Sequence, residues 1–182
     1  MNSSHFSTRY GTGIVYAVDR GIVKVEIPDL SRVDSAHHSM PSGFEPSELT
    51  AHAAHMLQRY FDGERIDFSD TPVVLEGMTP FRQKVLNFIR ILKFGEVCSY
   101  GLVADECGSP HAARAVGGAL AANPVPVIIP CHRVVAADGG LTGYSAPGGE
   151  CTKKALLKME GVNFKGVQVV TNQLVMHRSS SR

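Results

Sequence analysis

Cys131 and His132 stand side by side in this chain. An ordinary thiol has a pKa of about 8.5, so at neutral pH it is mostly protonated, while the thiolate is the attacking species. An imidazole that takes the proton would arm Cys131 as a covalent nucleophile, and such a base needs a carboxylate to orient it. The pair follows Asn123-Pro124-Val125-Pro126-Val127-Ile128-Ile129-Pro130. Each residue before a proline is driven out of the α region, so residues 123–130 are expected to run extended and buried. Neighbours on a strand point to opposite faces, so a bridging water is the expected relay between thiol and imidazole. The bland alternative is structural, because free cysteine packs as a small hydrophobe. Cys98, Cys107 and Cys151 are read as packing or incidental residues. His52 and His55 share one helical face, but residues 1–80 contain no cysteine; a solvated face is expected there and no metal.

The elements that must position this chemistry fall into two halves. Residues 1–12 are polar and read as frayed; 14–18 and 22–27 read as strands joined by the turn Asp19-Arg20-Gly21. Residues 28–46 form a loop, 47–61 a helix capped by Ser47, and 73–75 a short strand. Thr79-Pro80 begins a helix that Gly95 stops. Ser99 caps a short helix through 107, and Ser109-Pro110 begins another that reaches 121–123. Two short helices joined at a Gly-Ser turn make a helix-turn-helix pattern. The second carries mostly Ala and Gly, with Arg114 as its one long cation. It lacks the long polar side chains that read base edges; it can instead bring its backbone close to a surface and project one arginine, or pack tightly in a core.

The 182 residues are 43% hydrophobic and 19% charged, a globular composition. Four irregularly spaced cysteines exclude a disulfide scaffold, and no membrane span or secretory signal is read. The net charge of +1 hides an asymmetry. Residues 1–80 hold 6 Lys+Arg against 11 Asp+Glu, and residues 81–182 hold 12 against 6. The basic half is compatible with phosphate binding.

Residues 80–161 resemble the O6-alkylguanine-DNA alkyltransferases, also called methylated-DNA–protein-cysteine methyltransferases. The block Pro130-Cys131-His132-Arg133-Val134 is similar to their signature. Phe94-Gly95-Glu96-Val97, Ser99-Tyr100, Ala112-Ala113-Arg114-Ala115-Val116-Gly117, Asn123-Pro124, Gly143-Tyr144-Ser145 and Glu160-Gly161 follow in the family's order. The resemblance implies a mixed α/β fold. A ribonuclease H-like α+β domain would cover 1–78, a helical, winged-helix-like domain with the helix-turn-helix would cover 79–170, and a tail 171–182. It implies an intracellular, cytoplasmic or nuclear monomer acting on double-stranded DNA that carries O6-alkylguanine, with no cofactor and no membrane. The activity implied is one irreversible transfer of the alkyl group from a flipped guanine to Cys131.

Roles follow by resemblance. Cys131 is the acceptor, His132 the base acting through water, Glu160 its orienting carboxylate, and Asn123 the side chain holding the turn. Tyr100 hydrogen-bonds the guanine and crowds its phosphate, Tyr144 and Ser145 form the lesion-contacting loop, and the Val134 carbonyl accepts the exocyclic amine. Arg114 fills the space of the flipped base, and Arg133 and Lys153 join the substrate contacts. The stretch Ser145-Ala146-Pro147-Gly148-Gly149 is two residues longer than the family's usual loop. Two other readings compete: a non-catalytic lesion sensor, disfavoured because Cys131 is kept, and a cysteine hydrolase, for which no nucleophile-elbow motif is present. A plain DNA-binding regulator is a further alternative, although so bare a helix predicts poor sequence preference.

Overall fold

A computed structural model of the chain describes residues 1–32 and 45–175; His37-His38 and the serine-rich end of the tail lie outside them. Three strands, β1 (Asn2–Thr8), β2 (Gly11–Val18) and β3 (Gly21–Glu26), form an antiparallel sheet in that order. The expectation of a frayed start is thus wrong. β1 pairs with β2 from Asn2↔Ala17 to Thr8↔Gly11. One side chain explains it. Phe6 is buried over Gly13 and stacks on Phe61 with ring centroids 5.7 Å apart. The serines around it hid a strand whose anchor is a single aromatic residue.

The outer edge of β3 is covered by proline-containing segments. Ile22 N donates to the Pro72 carbonyl (2.8 Å), Val74 N to that of Ile22 (2.9 Å), and Val25 N to that of Pro124 (2.9 Å). The expected strand at 73–75 is therefore a single Ile22↔Val73 bridge, since a proline cannot donate to a ladder.

Helix α1 (Glu48–Phe61) starts at a capping box between Ser47 and Thr50 and lays Ala53, Ala54, Leu57 and Phe61 toward the sheet. Helix α2 (Pro80–Ile89) starts at Thr79 with proline at its first turn. The short strand β4 (Cys98–Ser99) leads into α3 (Tyr100–Glu106), capped by Ser99. Helix α4 spans Ala113–Ala121. It begins later than Ser109-Pro110 predicts, because His111 sits in the left-handed region (φ 70°) and breaks any earlier start. Strand β5 (Val134–Val135) pairs in parallel with β4, and α5 (Gly149–Met159) and the hairpin β6 (Phe164–Lys165) and β7 (Gln168–Val169) follow.

One buried cluster runs from Phe6, Val15 and Ile22 through Leu57 and Tyr60 to Ile89, Val116, Ile129 and Leu156. The sheet half and the helical half therefore share a core, and the segment bearing Cys131 lies within it. Among the described residues no helix is long and apolar enough to cross a membrane.

Candidate active site

The segment leading to Cys131 is a turn rather than an extended run. Ile129 N donates to the Val125 carbonyl (2.9 Å), and Val127 takes φ 74°, a costly conformation for a β-branched residue. Proline restricts only Asn123, Val125 and Ile129, so Val127 and Ile128 are free to reverse the chain. Asn123 holds the turn closed. Its Oδ1 accepts from Val125 N (3.1 Å), and its Nδ2 donates to the Ile129 carbonyl (2.8 Å) and to Cys131 Sγ (3.1 Å). Cys131, His132 and Arg133 then form one 3₁₀ turn, all three buried. Burial pushes the Cys131 thiol up, while the Asn123 hydrogen bond and the Lys153 charge pull it down. Burial dominates, so the thiol needs a base.

His132, the neighbouring imidazole, has the position and the charge state such a base requires. Its Nε2 meets Glu160 Oε1 at 2.9 Å, and its buried Nδ1 has no hydrogen-bond partner. Burial lowers the imidazole pKa more than Glu160 raises it, so His132 is neutral at pH 7. Glu160 is buried at the C-terminal cap of α5, where the helix dipole opposes a negative charge. Burial also resists its ionisation, but His132 and Arg133 hold the carboxyl well below the usual carboxylate range. Arg133 donates from Nε to Oε2 (2.9 Å) and from Nη2 to Oε1 (2.7 Å), and from Nη1 to the Leu92 carbonyl (2.6 Å). Gly95 N donates to Oε2 at 3.1 Å.

This corrects the place expected for Arg133. Its guanidinium is buried and committed to Glu160 and Leu92, so it supports the carboxylate instead of contacting substrate. Reading residues along the chain also missed Tyr60. From α1, its hydroxyl donates to Glu160 Oε1 at 2.7 Å. Its position on an apolar helix face placed it in the core, which is where it is; the one available signal was that a buried tyrosine hydroxyl usually finds a partner.

A second group, Tyr100 and Lys153, is coupled electrostatically to the thiol. Tyr100 donates to the Thr142 carbonyl (2.8 Å), and Lys153 Nζ reaches Tyr100 Oη and the Thr142 carbonyl, both at 3.4 Å. Lys153 is fully buried, not solvated, and burial lowers its pKa to about 8. The Tyr144 hydroxyl is buried, and burial and the neighbouring Cys131 push its pKa well up; Ser145 is exposed. A cleft of about 830 Å³ opens between β2–β3 and the loop 144–147, with Cys131 on its wall. The long loop is fastened to the sheet half. Thr152 Oγ1 donates to the Pro147 carbonyl (2.6 Å) and accepts from Leu30 N (3.0 Å). Gly148 lies so close to Asp29 that a Cβ would stand 2.0 Å from its Oδ1.

On α4, Val116, Ala119 and Leu120 are buried, and Arg114, Ala115, Gly118 and Ala121 are exposed. The outer face is thus nearly bare backbone with one arginine. The inner face, with Val116, Ala119 and Leu120, packs into the core. His52 and His55 lie exposed on α1, and no group of three or more His, Cys, Asp or Glu placed to hold a metal occurs among the described residues.

A family model for the DNA-binding domain of 6-O-methylguanine DNA methyltransferase matches residues 80–162. The methylated-DNA–protein-cysteine methyltransferase of Methanosarcina acetivorans is 39% identical over 142 residues, covering 78% of this chain and 81% of that protein. This chain belongs to the methylated-DNA–protein-cysteine methyltransferase family. Solved methyltransferases agree in fold. The Mycobacterium tuberculosis OGT crystallised in complex with DNA superimposes with a TM-score of 0.72 at 33% identity, over 88% of this chain and 93% of that one. The O6-methylguanine-DNA methyltransferase of Pyrococcus kodakaraensis gives 0.62 at 26%, over 88% and 99%. As expected, the methyltransferase fold here is mixed α/β, with a sheet half followed by a helical half.

Proposed function

We propose that this protein repairs O6-alkylguanine in double-stranded DNA by moving the alkyl group, once and irreversibly, onto Cys131. The observation that carries the reading is the arrangement at the thiol. Asn123 fixes Sγ on the wall of an open cleft, and the neighbouring His132 is neutral with Nδ1 bare and Nε2 on an ionised Glu160. Nδ1 takes the thiol proton through a water. Sγ then bonds to the alkyl carbon, the C–O6 bond breaks, and its electron pair stays on the guanine. Tyr100 and Lys153 are the donors that would stabilise the departing base, with Tyr144 and Ser145 lining the pocket and the Val134 carbonyl accepting from the exocyclic amine. A thioether is not readily displaced, so each molecule acts once, and the step needs no cofactor.

Flipping the base costs a few kcal/mol, least for a poorly paired one. The small outer face of α4 suits close approach to a groove in any sequence context, and Arg114 would fill the gap left by the flipped nucleotide. We read residues 79–170 as the unit that handles DNA, residues 1–78 as its support, and the protein as an intracellular monomer, cytoplasmic or nuclear.

The test is intact mass after mixing with DNA containing O6-methylguanine, followed by peptide mapping. A single methyl gain on Cys131, saturating at one per molecule, is expected. Tight lesion binding without mass gain would favour the sensor, and repeated turnover without a stable adduct would favour the hydrolase.

A further inference from the structure

The Tyr60 hydroxyl is completely buried and comes from α1, 72 residues before His132 and 100 before Glu160. Its ring is gripped edge-on by Phe61, Phe68 and Phe94, with centroids 5.4–6.0 Å away. Its one proton goes to Glu160 Oε1 at 2.7 Å, and its oxygen lies 3.4 Å from His132 Nε2. The same Oε1 meets His132 Nε2 at 2.9 Å and Arg133 Nη2 at 2.7 Å. An ionised carboxylate only accepts, and the tyrosine proton is already spent. Two acceptors therefore converge on Nε2, which must carry hydrogen. The lone pair is left on Nδ1, the nitrogen without a partner.

We propose that Tyr60 is a positioning residue for alkyl transfer: the sheet half reaches through it into the reactive centre, fixing the Glu160 carboxylate and the Nε2–H tautomer of His132. This rests on the proposed function and adds a role for the domain that carries no reacting atom. It also sets the strength of the base. Glu160, Arg133 and Lys153 are the charged groups acting on His132. By drawing on the carboxylate, the Tyr60 hydroxyl limits how far Glu160 favours the imidazolium, and so adds to the burial that keeps His132 neutral.

The test compares wild-type protein, Tyr60→Phe and Phe61→Leu in single-turnover methyl transfer from O6-methylguanine DNA across pH. Tyr60→Phe keeps the ring and its edge contacts. It is expected to slow transfer on the order of tenfold, the loss expected for one hydrogen bond to a charged group, and to move the acid limb of the profile to higher pH. DNA affinity should be unchanged. Phe61→Leu removes packing beside Tyr60 and should lower the melting temperature without moving the limb. Nitrogen NMR of wild-type His132 should find hydrogen on Nε2 and none on Nδ1. Wild-type transfer with an unmoved limb and unaltered rate in Tyr60→Phe overturns the role of Tyr60, as does an Nδ1–H tautomer. Absence of transfer in the wild type overturns instead the reading of function on which it rests.

Discussion

At the scale of single residues, the site is a set of buried charges held against their solvation cost. Glu160 is the centre, with five donors on two oxygens. Removing its charge leaves Arg133 buried and unpaired, so Glu160→Gln should cost about 3–5 kcal/mol in urea denaturation and abolish transfer to Cys131. The acid side follows from the same groups. Glu160 titrates lower in the folded state than in the unfolded chain, so its stabilisation is present above about pH 4.3 and lost as pH falls through the folded value. The His132 imidazole is also lowered, so the unfolded chain binds its proton first, and stability declines as pH drops below about 6.5. Lys153 is the opposite case, a cation kept at a cost. With a folded value of about 8 against about 10.4 when free, it makes stability rise as pH increases across that window. Lys153→Met should raise the melting temperature at pH 7.5, flatten this alkaline rise, and slow methyl transfer because the thiolate loses a cation that lowers its pKa. Melting curves at pH 7.5 and 10 beside a single-turnover assay check all three.

Elements act here through what they bring close. Helix α2 ends at Ile89 with Arg90 as its cap, short of the stop expected at Gly95; Gly95 lies beyond it in the left-handed region (φ 80°), and a Cβ there would meet the Glu160 carbonyl oxygen at 2.8 Å. Gly95→Ala is therefore expected to cost about 1–3 kcal/mol and to slow transfer by displacing Glu160, with Cys131 untouched. Helix α4 carries a different prediction. Gly118→Glu places a bulky anion on the exposed face without disturbing Val116, Ala119 or Leu120. Thermal stability should stay nearly level while affinity for duplex DNA falls at least tenfold. Arg114→Ala should leave binding of undamaged duplex largely intact and weaken lesion capture; equal capture by variant and wild type in a competition assay would count against the wedge.

Across the whole molecule, the two halves are not separable supports. The shared cluster from Phe6 to Leu156, the Val25–Pro124 backbone bond and the Tyr60–Glu160 bond all cross between them. Unfolding in denaturant should accordingly be a single transition, coincident by far-UV circular dichroism and by Cys131 accessibility to a thiol reagent. Two separated transitions would mean that the site keeps its geometry without the sheet. Binding to DNA should weaken steeply with added salt through phosphate contacts.

Much of this was legible in the chain. Cys131, His132, Asn123 and Glu160 have residue types that suit one reaction, and their linked motifs carry the family resemblance. Ser47, Thr79-Pro80 and Ser99 mark helix starts because capping is local chemistry, settled within one turn of chain. Sequence also held the small-residue composition of α4. What it could not hold was direction and burial, which depend on residues far away along the chain. Arg133 reads as a substrate contact until Glu160, 27 residues later, is found beneath it. Nothing near Lys153 in the chain shows that it is buried, Tyr60 reads as core until its hydroxyl meets a carboxylate 100 residues on, and residues 1–12 read as frayed until Phe6 finds Gly13 and Phe61. Residue types and the resemblance of the linked motifs named the candidate groups; only tertiary packing, by excluding water and bringing distant donors onto one carboxylate, decided their charge states and which of them touch.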